Sequence, residues 1–269
     1  MIMNRTTIYL GLSILTINVL TSCSHYKSDS EIMSTDSHYA TTEVASLSFI
    51  ASDLKHHQIF TNNLNKALLP VHGKPVISHI IESFPKEVEI VFAIGYKGEE
   101  LKTFVKTAYP NRKFTFVTVD NIDGPGSGPG YSLLCCKEHL QCPFIFDTVD
   151  TMTQGEIPKP DYNWFGVSEV DDTSRFCSVK TDKNMKIIRI DDKVKNDNIY
   201  AWIGLAGIHD YKHFWNALEN NKELIGGEIQ ISNGTTSLVE KGLKAVKVDW
   251  YDTGVRETYE DTCKRYPKN

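Results

Sequence analysis

The chain has 269 residues, of which 41% are hydrophobic and 23% are charged, and its formal net charge is -5. This composition is typical of a globular protein with one large domain or two small ones, long enough to bury a core. No run of lysine and arginine forms a basic stripe, so nothing indicates a general nucleic-acid binder.

The N-terminus has the pattern of a bacterial lipoprotein signal. Arg5 precedes an apolar segment at residues 8–20, which is too short for an ordinary membrane span. The sequence Leu-Thr-Ser-Cys at residues 20–23 is similar to a lipobox, which ends at the cysteine that receives the lipid. We therefore expect residues 1–23 to be a signal segment and the protein to be anchored to a membrane through a lipid on Cys23.

Residues 24–45 are rich in Ser, Thr, Asp and His without periodicity, and we expect them to form a flexible tether. The folded domain is then expected at residues 46–269. Met33 offers a second possible start, and a chain beginning there would lack the signal and be cytoplasmic.

The cysteines indicate a reducing compartment. None of the six lies in a CxxC pair with metal spacing, and Cys135 and Cys136 are adjacent in a helix-like segment. We expect buried, reduced thiols that act as small apolar groups. This expectation conflicts with the N-terminal signal.

The first half of the domain alternates between strands and helices. Strands are predicted at residues 46–51, 89–94, 113–119 and 144–146, and helices at 74–83, 98–108 and 131–140. This order predicts a doubly wound α/β fold, Rossmann-like, with a mostly parallel sheet and a ligand crevice at the carboxyl ends of its strands.

The second half predicts a small, mixed, β-rich region. Its expected strands are residues 164–169, 176–181, 186–191, 199–209 and 244–249, and its expected helices are 211–221, 229–241 and about 256–265.

Two aspartates stand where a catalytic crevice would lie. Asp150 follows a buried strand, and Asp252 lies in a predicted turn after another. Carboxylates at strand ends are natural ligands for Mg²⁺, which prefers oxygen donors and often bridges to substrate phosphates. Each aspartate taken alone is more often a helix cap or a turn former.

A glycine-proline loop at residues 124–130 opens the helix predicted at 131–140. Its backbone N–H groups could approach a ligand, or the loop could be a rigid turn. Asp192, Lys193 and Glu228 are further charged residues near the expected crevice.

Several segments, in the right order, resemble the sugar-phosphate nucleotidyltransferase family. Residues 66–77, KALLPVHGKPVI, are similar to the lysine-containing second half of its signature, although Lys66 alone would pass for a surface lysine. Residues 250–254, WYDTG, resemble its late metal-binding turn, and residues 144–151 resemble the strand that ends in its first metal-binding aspartate. Residues 192–193 are similar to its acidic-lysine pair, and residues 228–242 to its late helix.

The resemblance implies a GT-A-like fold and transfer of a nucleotidyl group from a nucleoside triphosphate (NTP) to a sugar 1-phosphate, with pyrophosphate released. It implies that Asp150 and Asp252 hold Mg²⁺ and that Lys66 neutralises the phosphates during in-line attack. Lys193 would bind the acceptor phosphate. A phosphorylated acceptor such as phosphocholine is the alternative to a sugar phosphate.

The resemblance also implies further binding residues. The loop near Gly128 and Gly130, together with Glu228, would lie against the substrate. Ser52 and Lys55 would join Lys66 at the nucleotide.

One departure from the family pattern lies before Lys66. The family has a glycine-rich loop with an arginine there, whereas residues 51–58 read ASDLKHHQ, without glycine or arginine. Side chains on every residue hinder close approach of the backbone to phosphates. Either the donor is bound differently, or the chain is a catalytically inactive, lipid-anchored binding or scaffold protein.

Overall fold

The computed structural model describes residues 64–268 and, for the backbone alone, two further strands at residues 18–19 and 46–51. The predicted signal and tether lie almost wholly outside the described residues, as do Cys23, Ser52 and Lys55. The division into signal, tether and domain therefore stays a prediction.

The strands are, in chain order, β1 (Asn18–Val19), β2 (Ser46–Ala51), β3 (Pro70–Val71), β4 (Lys74–Pro75), β5 (Ile90–Ile94), β6 (Phe114–Thr118), β7 (Phe144–Thr148), β8 (Thr151–Gln154), β9 (Trp164–Glu169), β10 (Cys177–Thr181), β11 (Ile187–Asp192), β12 (Tyr200–Ile208), β13 (Lys244–Lys247) and β14 (Asp249–Asp252). The helices are α1 (Val76–Glu82), α2 (Gly98–Ala108), α3 (Pro129–Cys135), α4 (Tyr211–Asn220), α5 (Ser232–Thr235) and α6 (Arg256–Arg265).

One large mixed sheet forms the centre of the fold. In its first half β2, β5 and β6 are parallel neighbours, and β7 begins parallel to β2, with the short β1 antiparallel to both. Beyond β7 the sheet continues through β12, β10 and β11 in antiparallel pairs. β9 also pairs with β12, and β13 runs parallel to β9. The predicted α/β class, with a parallel half and a mixed β-rich half, is confirmed.

The core lies on both faces of this sheet. Phe144 and Phe146 of β7 join one buried cluster, which α3 and α4 cover, whereas Ile145 joins the other, which α1 and α2 cover. Successive side chains of a strand point to opposite faces, so a strand that is buried on both faces needs a continuous apolar run. The runs in β5 and β7 meet this requirement.

The helix predicted at residues 74–83 begins later than expected. Lys74 and Pro75 form β4, which pairs with β3 in a two-residue hairpin. His72 and Gly73 both have positive φ, as the central residues of a type I′ turn require. The helix therefore begins at Val76, and Pro75 is its extended N-cap rather than its first residue.

The length predicted for the helix at residues 229–241 was wrong. Only α5 and a single 3₁₀ turn at Thr236–Leu238 are helical. The start of the segment is bound to the glycine-proline loop, because the Ile229 N–H donates to the Ser127 carbonyl and the Ile229 carbonyl accepts from the Gly130 N–H, both at 2.8 Å. This pairing uses the backbone that an earlier helix would need.

Two further predicted elements are each divided into two shorter elements in the structure. The helix predicted at residues 131–140 is α3 followed by a 3₁₀ turn at Lys137–His139. The strand predicted at residues 244–249 is β13, which ends at Lys247, and β14 begins at Asp249 in a separate two-stranded sheet with β8. Asp252 is therefore the last residue of a strand and not part of a turn.

The cysteines within the described residues, Cys135, Cys136, Cys142, Cys177 and Cys263, are free thiols. Burial raises the pKa of the Cys136 and Cys177 thiols well above the ordinary value. Between residues 64 and 268, no helix is long and apolar enough to cross a membrane.

Candidate active site

The small sheet of β8 and β14 brings the two predicted aspartates together. Asp252 pairs with Thr151, the residue after Asp150. The Thr253 N–H and hydroxyl both donate to the Asp150 carbonyl, at 2.8 and 3.1 Å. Gly254 lies beside both carboxylates, since a Cβ there would be 3.0 Å from Asp252 Oδ1 and 3.3 Å from Asp150 Oδ2. A side chain at residue 254 would therefore crowd both carboxylates.

Lys66 reaches Asp150 from an earlier part of the chain. It begins a 3₁₀ turn, Lys66–Leu68, whose N-cap is Asn65. Its Nζ lies 2.5 Å from Asp150 Oδ2, and the two side chains are only 6% and 4% exposed. The three predicted catalytic residues Lys66, Asp150 and Asp252 thus converge around one buried ion pair.

The two carboxylates repel each other. Burial, and then the negative charge of Asp150, raise the pKa of Asp252 to about 6, while the Gly254 N–H and the Lys66 charge oppose this rise. Within the described residues, this site included, no group of three or more His, Cys, Asp or Glu residues is placed to hold a metal ion. A cation between Asp150 and Asp252 would relieve the repulsion.

A second group of predicted residues lies in the same cleft. Asp192 and Lys193, at the end of β11, line it together with Asp150 and Asp252. The Ser232 hydroxyl donates to Asp192 Oδ2 at 2.5 Å. Lys193 Nζ lies 3.7 Å from Glu228 Oε2 and is buried without a hydrogen-bond partner among the described residues. This ammonium can still donate hydrogen bonds to a ligand.

The glycine-proline loop packs against the segment around Glu228. The Gly126 and Gly130 N–H groups donate to the carbonyls of Gly227 and Ile229, at 3.1 and 2.8 Å. These two N–H groups are therefore occupied within the protein.

Gly128 and Gly130 permit this close packing. A Cβ on Gly128 would lie 2.7 Å from the Glu228 Cβ, and one on Gly130 would lie 2.6 Å from the Gln230 carbonyl oxygen. The two glycines thus hold Glu228 near Lys193, and their role in binding substrate stays a prediction.

Three aromatic residues of the cleft were missed by the sequence analysis. Phe176, Trp202 and Trp250 line it together with Asp150 and Asp252. The sequence could have indicated one of them, Trp250, because it lies two residues before Asp252 in one strand. Residues at that spacing point to the same face.

Asp147 is a further buried carboxyl, three residues before Asp150. It is 2% exposed and accepts a hydrogen bond from the Thr148 N–H at 2.8 Å. Burial raises its pKa well above the ordinary value. Because the folded state binds this proton more tightly, stability is greatest below the unfolded pKa and falls as the pH rises towards the folded one.

We expect Asp147→Asn to raise the free energy of unfolding at pH 8 by about 1–3 kcal/mol, since the amide avoids the cost of burying a charge. Its oxygen can still accept from Thr148. The gain should shrink towards pH 4, because the unfolded state also begins to bind the proton as the pH approaches the ordinary pKa of an aspartate. Urea denaturation at the two pH values measures it, and Asp161→Asn, at an exposed position, is the control. An equal gain at both pH values would contradict this account.

Comparisons with known proteins found relatives in sequence and similar folds. No protein-family model matches the chain. "Bifunctional protein GlmU" from Methanococcus aeolicus is 29% identical over 203 residues, which are 72% of this chain and 47% of that protein. The chain spans about half the length of the curated relatives it matches. The chain is related to the sugar-phosphate nucleotidyltransferases.

Solved structures of nucleotidyltransferases share the fold. A UDP-glucose pyrophosphorylase, solved with UDP-glucose, superposes with a TM-score of 0.62 at 16% identity, over 76% of this chain and 91% of that one. The CTP:phosphocholine cytidylyltransferase of Streptococcus pneumoniae gives a TM-score of 0.60 at 17% identity, over 76% and 90%. The GT-A-like fold that the sequence predicted for this relative of the nucleotidyltransferases is confirmed.

Proposed function

We propose that the chain is a nucleotidyltransferase, which moves a nucleotidyl group from an NTP to a sugar 1-phosphate or a similar phosphorylated small molecule and releases pyrophosphate. The observation that carries this proposal is the convergence of Lys66, Asp150 and Asp252 around one buried ion pair. The curated relatives and the shared fold support it. No observation gives comparable support to the alternative, a catalytically inactive binding or scaffold protein.

Asp150 and Asp252 fit Mg²⁺ because both are oxygen donors and both carboxylates lie beside Gly254. With two protein ligands, the remaining positions would go to water and to phosphate oxygens, which is how Mg²⁺ is usually held. When bound, Mg²⁺ would neutralise negative charge on the phosphates.

Lys66 would supply the second positive charge. Its ion pair with Asp150 holds the ammonium inside the cleft, so little side-chain entropy remains to be lost when it meets a phosphate. A phosphate oxygen of the acceptor attacks the α-phosphorus, an O–P bond forms, and the bond to pyrophosphate breaks with its electron pair on the leaving oxygen. The protein lowers the barrier mainly by orienting the two phosphates and offsetting their charge.

Binding of the NTP donor would depend in part on residues outside the described part of the chain. We propose that Ser52 and Lys55, with Lys66, bind the nucleotide in place of the glycine-rich loop. Lys193 would bind the phosphate of the acceptor, since its ammonium lines the cleft and has no hydrogen-bond partner among the described residues. Lipid anchoring at Cys23 stays a prediction.

The test is pyrophosphate release by the full chain from a panel of NTPs and phosphorylated acceptors in the presence of Mg²⁺. We expect release with at least one pair and an increase in melting temperature with the matching NTP. If no pair gives release and no NTP raises the melting temperature, the proposal is wrong.

A further inference from the structure

The last helix, α6, is held in the fold by hydrogen bonds more than by an apolar face. Of its ten residues, all of them described, only Thr262 is fully buried. Tyr259 and Cys263 are half-buried at the edge of the core. A surface helix usually buries an apolar stripe, whereas a buried hydroxyl needs a hydrogen-bond partner. The partner of Thr262 therefore indicates what this helix does.

Thr262 bonds to the main chain of Asp252. Its hydroxyl donates to the Asp252 carbonyl at 2.7 Å. The Thr253 N–H belongs to the same peptide unit and donates to the Asp150 carbonyl at 2.8 Å. A peptide unit is planar, so holding its carbonyl and its N–H at the same time fixes its orientation. The unit that ties Asp252 to Asp150 is therefore kept from rotating by Thr262.

The same helix also contacts the hairpin of β3 and β4, which follows Lys66. The Tyr259 hydroxyl donates to the Pro70 carbonyl at 2.6 Å. Just beyond the helix, the Tyr266 carbonyl accepts from His72 Nε2 at 2.9 Å. α6 therefore bridges this hairpin and the end of β14.

These contacts bear on the geometry that the proposed reaction needs. Lys66 Nζ lies 2.5 Å from Asp150 Oδ2, so the hairpin and the two aspartates serve one site. Transfer of a phosphoryl-type group depends mainly on positioning and on charge, and a misplacement of about 1 Å can cost about 10²-fold in rate. A residue that orients a metal-binding carboxylate can change metal affinity by about 10–100-fold.

We propose that α6 is a positioning element for the nucleotidyl transfer and that Thr262 is its main positioning residue. Thr262 keeps the Asp252 and Asp150 carboxylates in a fixed relation to each other, and Tyr259 holds the hairpin after Lys66 against the same helix. Both side chains act through the residues that they hold and not on the substrate. This inference rests on the proposed function.

The main test is Thr262→Val in the full chain, which removes the hydroxyl and keeps the branched shape. We expect kcat for pyrophosphate release to fall about tenfold or more and the Kd for Mn²⁺ to rise about tenfold, with a smaller change in the KM for either substrate. Mn²⁺ takes the same oxygen ligands as Mg²⁺, and electron paramagnetic resonance measures its binding without turnover. Thr262→Ser should recover most of both values, because its hydroxyl can reach the same carbonyl.

Thr235→Val is the matched control. Thr235 is also fully buried, and its hydroxyl also donates to a main-chain carbonyl, that of Ile231, at 3.3 Å. This variant should lower the melting temperature by an amount similar to or smaller than that of Thr262→Val. Its kcat and its Kd for Mn²⁺ should stay nearly unchanged.

Tyr259→Phe tests the other contact of α6 and decides the matter if Thr262→Val does not fold. The bond from Tyr259 to the Pro70 carbonyl is exposed to solvent, so we expect a smaller fall in kcat, about threefold. The Kd for Mn²⁺ should not change, because the hairpin supplies no ligand to the metal. Tyr109→Phe, which also removes a solvent-exposed hydroxyl bond, is the control and should keep full activity. A wild-type kcat in Tyr259→Phe would show that α6 does not position the hairpin.

The outcomes separate this inference from the proposed function. If the wild type releases pyrophosphate and Thr262→Val keeps its kcat and its Kd for Mn²⁺, the inference is wrong and the proposed function stands. Equal losses in Thr235→Val would also overturn the inference, because lost packing would then explain them. If the wild type binds Mn²⁺ but turns over no substrate pair, the proposed function is wrong, and the Kd in Thr262→Val still decides whether Thr262 positions the carboxylates. Absence of both turnover and Mn²⁺ binding in the wild type would overturn both.

Discussion

The Asp252→Ala variant is expected to lose pyrophosphate release by about 10³-fold or more, because one of the two carboxylates that can hold Mg²⁺ is removed. The protein should stay folded. Burial and the Asp150 charge raise the pKa of Asp252 to about 6. Ionised Asp252 is therefore repelled by Asp150 and does not stabilise the fold. Pyrophosphate release and the melting temperature are measured on the same preparation.

Asp249→Ala is the control for this experiment. Asp249 begins the strand that Asp252 ends, and it is exposed, so its removal should leave both activity and melting temperature nearly unchanged. Retention of full activity in Asp252→Ala would show that Asp252 does not take part in catalysis.

Replacing Lys66 with methionine is expected to lower the free energy of unfolding by about 3–5 kcal/mol, since it leaves the Asp150 carboxylate buried without its partner. Activity should be lost as well, because the ammonium that would face the phosphates is gone. The double variant Lys66→Met, Asp150→Asn should recover much of the stability, since no charge is then left unpaired, and it should remain inactive.

Lys74→Met is the control for the ion pair. Lys74 pairs with Glu82, but both side chains are exposed to solvent, at 34% and 49%. Such pairs contribute about 0–1 kcal/mol, so this variant should unfold at nearly the wild-type denaturant concentration. If Lys66→Met behaves like Lys74→Met, the buried ion pair does not stabilise the fold. Partial unfolding is excluded as the cause of inactivity if the double variant is stable.

The fold class was predictable because its signal is local. β5 and the first three residues of β7 are continuous apolar runs, which a strand buried on both faces requires, and α2 carries its apolar residues at helical spacing. The end of α1 and the positions of β9 and β12 followed from the same periodicity. Segments with a helical pattern whose backbone is instead bound to a distant loop were predicted poorly. The segment at residues 229–241 is the clearest case, since its first residues bind to the glycine-proline loop.

The sequence by itself determined which residues could carry the chemistry: Lys66, Asp150, Asp252 and Lys193 were all named from their motifs. Only the tertiary structure decided how they meet. β8 was not predicted, and its pairing with β14 places Asp252 beside Asp150 across about one hundred residues of chain. The ion pair of Lys66 with Asp150 and the aromatic lining of the cleft by Phe176, Trp202 and Trp250 arise in the same way. Contacts between residues far apart in the chain depend on strand register and packing, which no local pattern of residues specifies.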